Sequence, residues 1–313
     1  MQGHMVRSRM QWVTEGERPT QYFCALERKN FADKTIKSLR KDDDTCIRDQ
    51  KEILNEIKNF YAKLYSKNEN LQAANLHKIL KHCKVKTLKE EDTRTMEGYI
   101  TINEIGTALK NTKNNKTPGL DGIPFEFLKM FWKDMKFCVT RAINTCFDKG
   151  TFSLSLRQCV ITCLPKKGKP RDSMKNWRPL SMLSVIYKLA SAAIANRIKP
   201  HLDKIIDNTQ NGFVPGRYIG DCTRLVNDIM KITEDRHIPG MLVLIDFEKA
   251  FDSISWSFIY KSLSYLGFPT DIIKWVKLFN SNVKATILQY GVLSDFIDIK
   301  QGCRETRSHP ISL

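Results

Sequence analysis

The apolar positions of this chain fall into alternating helical and strand periods. Asp49 and Glu52 form a capping-box pattern ahead of Ile53, Ile57, Phe60, Tyr61 and Leu64, whose spacing places them on one face of a helix. Thr101 and Glu104 repeat that pattern before Ile105, Ala108 and Leu109. Ile186, Leu189, Ala190, Ala193, Ile194 and Ile198 recur at helical spacing, as do Cys222, Leu225, Val226, Ile229 and Met230, which predicts two core-facing helices. Residues 160–164 and 242–245 are short apolar runs. The second, Leu-Val-Leu-Ile, reads as a strand buried on both faces that delivers Asp246 at its end.

Turn formers punctuate these elements. The triplet Asp42, Asp43 and Asp44, set in SLRKDDDTC, reads as a solvated turn between short strands, not as a metal site. Pro118, Gly119, Asp121 and Gly122 mark a loop at 113–124, and Lys113 and Lys116 put charge where its backbone bends. A mobile basic loop is expected from Pro165 to Asp172, followed by a returning segment Trp177-Arg178-Pro179-Leu180. Gly212, Pro215 and Gly216 allow close backbone approach in QNGFVPGR. There is no long linker and no internal repeat.

Composition narrows the class. At 313 residues with 42% apolar content the chain can build a real core and could form two domains. Nine cysteines at irregular spacing make no disulfide framework, and Cys159 with Cys163 lacks the second pair that a zinc site needs. No 18-residue apolar run and no apolar leader is present, so an intracellular protein of the cytoplasm or nucleus, neither secreted nor membrane-spanning, is expected. The net charge of +17 is uneven: residues 101–200 hold 18 Lys and Arg against 6 acids, whereas residues 201–313 hold 13 against 13. A basic block beside a neutral one suits a region that tracks a phosphate backbone next to one that holds metals, although solvated lysines give the same count.

Asp246 is the sharpest chemical candidate. A carboxylate at a strand end can leave the core and meet a hard cation such as magnesium, which takes one or two carboxylates plus phosphate oxygens. The plainer alternative is a cap for the following turn. The neighbours decide: DFEKAFDSISW at 246–256 resembles the first catalytic motif of reverse transcriptases, and in particular the non-LTR retrotransposon branch. The resemblance implies that Asp246 binds two Mg2+ ions and that Phe251, a large rigid ring, packs under the sugar of the incoming nucleotide and excludes a 2′-hydroxyl. Glu248 and Asp252 read as capping or surface carboxylates.

Further segments carry the same resemblance in the same order. KNNKTPGLDGIP is similar to the front signature of non-LTR enzymes, which implies that Lys113 and Lys116 help shape the fingers around the RNA template. In the segment from Arg157 to Leu183, Lys166 and Arg178 fill the positions that grip the β- and γ-phosphates, one as a point charge and one as a planar fork. QNGFVPGR looks like the fingers–palm junction, where Arg217 could reach a template phosphate. Residues 6–30 resemble the stretch between endonuclease and polymerase. From Gly302 the family continues Gly-Cys-Arg-Gln-Gly-Asp-Pro, whereas this chain reads Gly302-Cys303-Arg304-Glu305, so the Gln-Gly pair is expected to be missing. The family's Tyr-x-Asp-Asp hairpin and thumb do not occur before Leu313.

The expectation is therefore an α+β right-hand polymerase fold with fingers and an incomplete palm behind a helical amino-terminal extension. The extension covers 1–95, the fingers and their junction 96–235, and the partial palm 236–313. The implied reaction is RNA-templated DNA synthesis with an RNA template, a DNA primer and a dNTP. With one carboxylate against two metals the chain is expected to be inactive by itself, and the rival reading is a non-catalytic basic RNA- or DNA-binding remnant.

Overall fold

The structure, a computed structural model, describes residues 35–41, 43–66 and 85–304. The expected region at 6–30 lies outside them. Helix α1 (Gln50–Leu64) starts where Asp49 accepts the backbone N–H groups of Lys51 and Glu52 at 2.9 and 3.1 Å. Before it, strands β1 (Leu39–Arg40) and β2 (Cys46–Ile47) pair across a turn in which Asp43 caps Thr45 and Asp44 takes φ 63°. Next come α2 (Glu90–Arg94) and α3 (Ile102–Lys110). The latter carries the full reciprocal capping box, with Thr101 N–H donating to Glu104 at 2.7 Å.

Helices α4 (Phe125–Met130), α5 (Trp132–Lys149) and α6 (Leu154–Arg157) lead into the hairpin of β3 (Gln158–Pro165) and β4 (Trp177–Met182). Helix α7 (Val185–Ile198) follows, nearly every turn of it buried, because α3, α5 and α12 pack around it. The chain continues through α8 (Leu202–Ile205), α9 (Gly220–Asp235), α10 (Ala250–Ser253), α11 (Trp256–Tyr265) and α12 (Thr270–Phe279). Strands β5 (Lys284–Gln289), β6 (Val292–Leu293) and β7 (Ile297–Asp298) complete the mixed sheet. Its order is β4-β3-β5-β6 with β7 also on β5, and β3 runs parallel to β5 with Val160 opposite Thr286. Among the described residues no helix is long and apolar enough to cross a membrane.

Two expectations fail here. Residues 242–245 are not a strand: they run without regular structure and stay exposed, Leu244 at 84%. A strand's N–H and C=O groups need a neighbouring strand, and none of the described strands pairs with this segment. Helix α9 forms where its period predicts but buries no residue; Leu225, Ile229 and Met230 stay more than half exposed because no described element packs on that face.

Not all of the basic middle third is surface. The Arg197 side chain, 7% exposed, holds Glu104 while donating to the carbonyls of Met96, Gly98 and Tyr99, which fixes the entry to α3. Lys188 on α7 is also buried, its Nζ 5.6 Å from the Phe125 ring centre. Burial pulls its pKa down from 10.5 to about 8; Asp121 opposes the shift and Lys116 adds to it. The unfolded chain keeps this proton to higher pH than the fold does. The destabilisation is therefore complete below pH 8 and is relieved as pH rises toward the unfolded value. Lys188→Met is expected to raise the unfolding free energy near pH 7 by roughly 1–3 kcal/mol and to flatten that upward slope. Urea unfolding of both proteins at about pH 7 and 9.5 checks this, and equal gains at the two pH values would contradict it.

Candidate nucleotide site

The DFEKAFD segment makes a tight turn in which Lys249 adopts the left-handed conformation, φ 51°, and its carbonyl accepts the N–H of Asp252 at 3.0 Å. Asp246, Phe247, Lys249, Phe251 and Asp252 line a concavity of about 320 Å³. Asp246 is exposed at its rim. Phe251 is partly exposed and meets Phe213 edge-on, ring centres 6.0 Å apart, so the 210–217 loop reaches the same site.

The tip of the β3–β4 hairpin lies within electrostatic reach of this turn, through Lys166 and Lys175 acting on Lys249. Leu164 pairs with Arg178, and Lys166 N–H donates to Asn176 at 2.8 Å, so Lys166 and Arg178 stand on adjacent strands near the tip. Trp177 Nε1 donates to the Arg171 carbonyl at 2.9 Å and Arg40 pairs with Asp172 at 3.1 Å, which order the loop that sequence reading took as mobile. The Lys249 pKa is lowered first by burial, against the pull of Glu248 and Asp252, and Lys166 and Lys175 push it the same way as burial. Lys166 and Lys175 are thus the hairpin cations whose field reaches Lys249 on this turn.

Other expected residues take different places. Lys116 lies near Lys188, and Lys113 is exposed on the same loop. That loop docks on the start of α7, where a Cβ at Gly119 would meet Ser184 N at 2.6 Å. Arg217, expected to reach a template phosphate, is engaged within its own loop. Its guanidinium is committed to Asp203 at 2.7 Å and to the carbonyls of Ile206, Asp207 and Gln210, so it clamps its own loop and has little left to offer a phosphate.

Asp252 is corrected as well. It is buried, not a surface carboxylate, and accepts the Tyr65 hydroxyl at 2.9 Å. The stretch from Gln301 to Arg304 also reaches this turn. Gln301 Nε2 donates to the Leu64 carbonyl at 2.7 Å, and Gly302 sits at φ 84° where a Cβ would lie 2.3 Å from Asp252 O. Gly302 N–H donates to Ile254 at 2.8 Å and Cys303 N–H to Phe251 at 2.6 Å, so this segment is strapped to the back of the Phe251 turn. A conformation that only glycine tolerates was the signal available in the sequence.

Among the described residues no three His, Cys, Asp or Glu side chains gather as a metal cage. With Asp252 turned to Tyr65, Asp246 is the carboxylate left at the rim. That donor set fits a hard cation held largely by phosphate oxygens and water, and does not fit a two-ion cage.

Comparison with known proteins places this geometry. Residues 164–304 match the reverse transcriptase (RNA-dependent DNA polymerase) family, a match that includes the hairpin tip, β4 and the Asp246 turn. The chain is 31% identical over 310 residues, 96% of its length, to the transposon TX1 uncharacterized 149 kDa protein of Xenopus laevis, of which it covers 23%. It is 28% identical over 158 residues to the probable RNA-directed DNA polymerase from transposon BS of Drosophila melanogaster, covering 50% of this chain and 17% of that protein. Over 208 residues it is 24% identical to the RNA-directed DNA polymerase from mobile element jockey of Drosophila funebris, covering 65% of this chain and 22% of that one. The chain therefore spans less than a quarter of the length of these relatives.

Proposed function

We propose that this reverse transcriptase domain of the non-LTR retrotransposon type seats an RNA template, a DNA primer and an incoming dNTP for RNA-directed DNA synthesis. In that reading residues 96–235 act as fingers and 236–304 as part of the palm of a right hand. The observation that carries it is the concavity lined by Asp246 and Phe251, with Lys166 and Lys175 of the hairpin tip within electrostatic reach of Lys249 on the same turn. Lys166 and Arg178 hold the β- and γ-phosphates, Phe251 lies under the sugar, and Lys113 and Lys116 meet template phosphates. The primer 3′-hydroxyl attacks the α-phosphorus, the bond to the bridging oxygen breaks, and pyrophosphate leaves. Reverse transcriptases use divalent metal ions; here Mg2+ would be held by Asp246 and would supply charge neutralisation at the triphosphate. The described cysteines are free thiols, in keeping with action in the cytoplasm or nucleus.

The test is primer extension on an RNA template by a chimera in which this chain replaces the 310 matched residues of the TX1 protein. Extension by the TX1 parent without extension by a folded chimera would sink the reading. The chain by itself is expected to bind and not to extend, because one rim carboxylate gives too little charge compensation.

Binding should be salt-dependent and nearly indifferent to sequence. If Lys113, Lys116, Lys166 and Arg178 neutralise about three phosphates, the affinity for single-stranded RNA falls with a log–log salt slope near −2. Charge reversal at these positions should flatten the slope. A slope near zero in the parent chain, measured by fluorescence anisotropy, would remove them from the interface.

A further inference from the structure

Helix α1 lies outside the matched family segment, yet its end touches both strand β3 and the turn that lines the nucleotide concavity. Its last turn presents three aromatic rings. Tyr61, fully buried, sits against Cys163 of β3, hydroxyl to Sγ 3.6 Å, and so meets the hairpin wall. Phe60 lies 4.0 Å below Lys249 Nζ, and Tyr65, stacked on Tyr61 with ring centres 6.1 Å apart, donates its hydroxyl to Asp252 at 2.9 Å. The backbone completes the junction: the Leu64 carbonyl accepts from Gln301 Nε2 at 2.7 Å and the Tyr65 carbonyl from Lys300 N–H at 3.0 Å.

We infer that Tyr65 is a positioning residue of the nucleotide site, acting through Asp252 to fix the Phe251 ring and the Gly302 strap relative to the hairpin. This rests on the functional reading above. The physical reason is that α10 has only four residues, too short to hold its own geometry, and Phe251 is its second residue. A buried carboxylate anchored from a fifteen-residue helix supplies the rigidity that the turn lacks. Since α1 also holds β3 through Tyr61, the same helix sets the width of the cleft. Sugar discrimination depends on that spacing, because a ring displaced by a fraction of an ångström no longer excludes a 2′-hydroxyl.

The test uses the whole chain and Tyr65→Phe, which removes one oxygen and keeps the stacked ring. Amide hydrogen exchange is read at Gly302 and Cys303, and the affinities for dATP and ATP with Mg2+ are read by competition. Exchange at the two amides is expected to rise about tenfold. The preference for dATP should fall about fivefold, with single-stranded RNA affinity unchanged. Gln301→Leu, which cuts the second tie, should move both readings the same way even if the first variant does not fold. Tyr99→Phe, which loses a hydroxyl bonded to Asp148 at 2.7 Å on another face, should move neither. Unchanged exchange in Tyr65→Phe overturns the tie. Faster exchange with an unaltered dATP preference overturns its positioning role and leaves a merely structural contact. A parent chain that shows no preference for dATP overturns the functional reading, while the exchange result still decides the tie.

Discussion

Asp246→Asn in the TX1 chimera is expected to reduce primer extension by roughly a thousandfold, the scale of several kcal/mol of lost metal-borne charge stabilisation. Template affinity should stay within about twofold, because the proposed template contacts, Lys113 and Lys116, lie on another loop. The substitution is nearly isosteric and its site is exposed, so folding should not change. Phe251→Ala tests the other half of the turn. Extension should persist while rejection of ribonucleotides weakens by up to about a hundredfold, the scale on which a shaped pocket rejects an added hydroxyl. An Asp246→Asn chimera that extends primers as well as its parent would return Asp246 to the role of a turn cap.

Self-association of the chain is the second large effect. Met241 is 87% exposed and Leu244 84%, and Leu242, Val243, Ile245 and Phe247 are also open to solvent, a contiguous apolar ribbon with unpaired backbone groups. Such a ribbon is a template for edge-to-edge pairing with another copy. Burying one Leu stabilises the contact by about 1.5–3 kcal/mol. Leu242→Lys and Leu244→Lys, which share a face in an extended segment, should therefore each weaken association by at least about tenfold. Sedimentation velocity across a concentration series measures this. A parent chain that sediments as a single monomer at every concentration would contradict it.

Much of the local structure was legible in the order of residues. Asp49 and Thr101 begin helices where their capping chemistry predicts, because a cap is satisfied by N–H groups two or three residues away. The β3–β4 hairpin stands where strand period and turn formers put it, and the Asp246 turn forms where the motif lies. Charge counts could not separate buried Lys188 from exposed Lys113.

What the sequence determined by itself is whatever depends on near neighbours: helical faces, caps, turns, and which side chains carry chemistry. Only the tertiary structure decided which of them meet. Arg217 looked like a phosphate contact until its own loop claimed its donors, and Asp252 looked like a surface carboxylate until Tyr65, 187 residues earlier, closed over it. Residues 242–245 have the composition of a buried strand, yet strand formation requires a partner's backbone, which no local pattern supplies. Periodicity is a property of one segment and is written within it. Pairing is a property of two, so it is settled only when the folded chain brings, or fails to bring, the second one alongside.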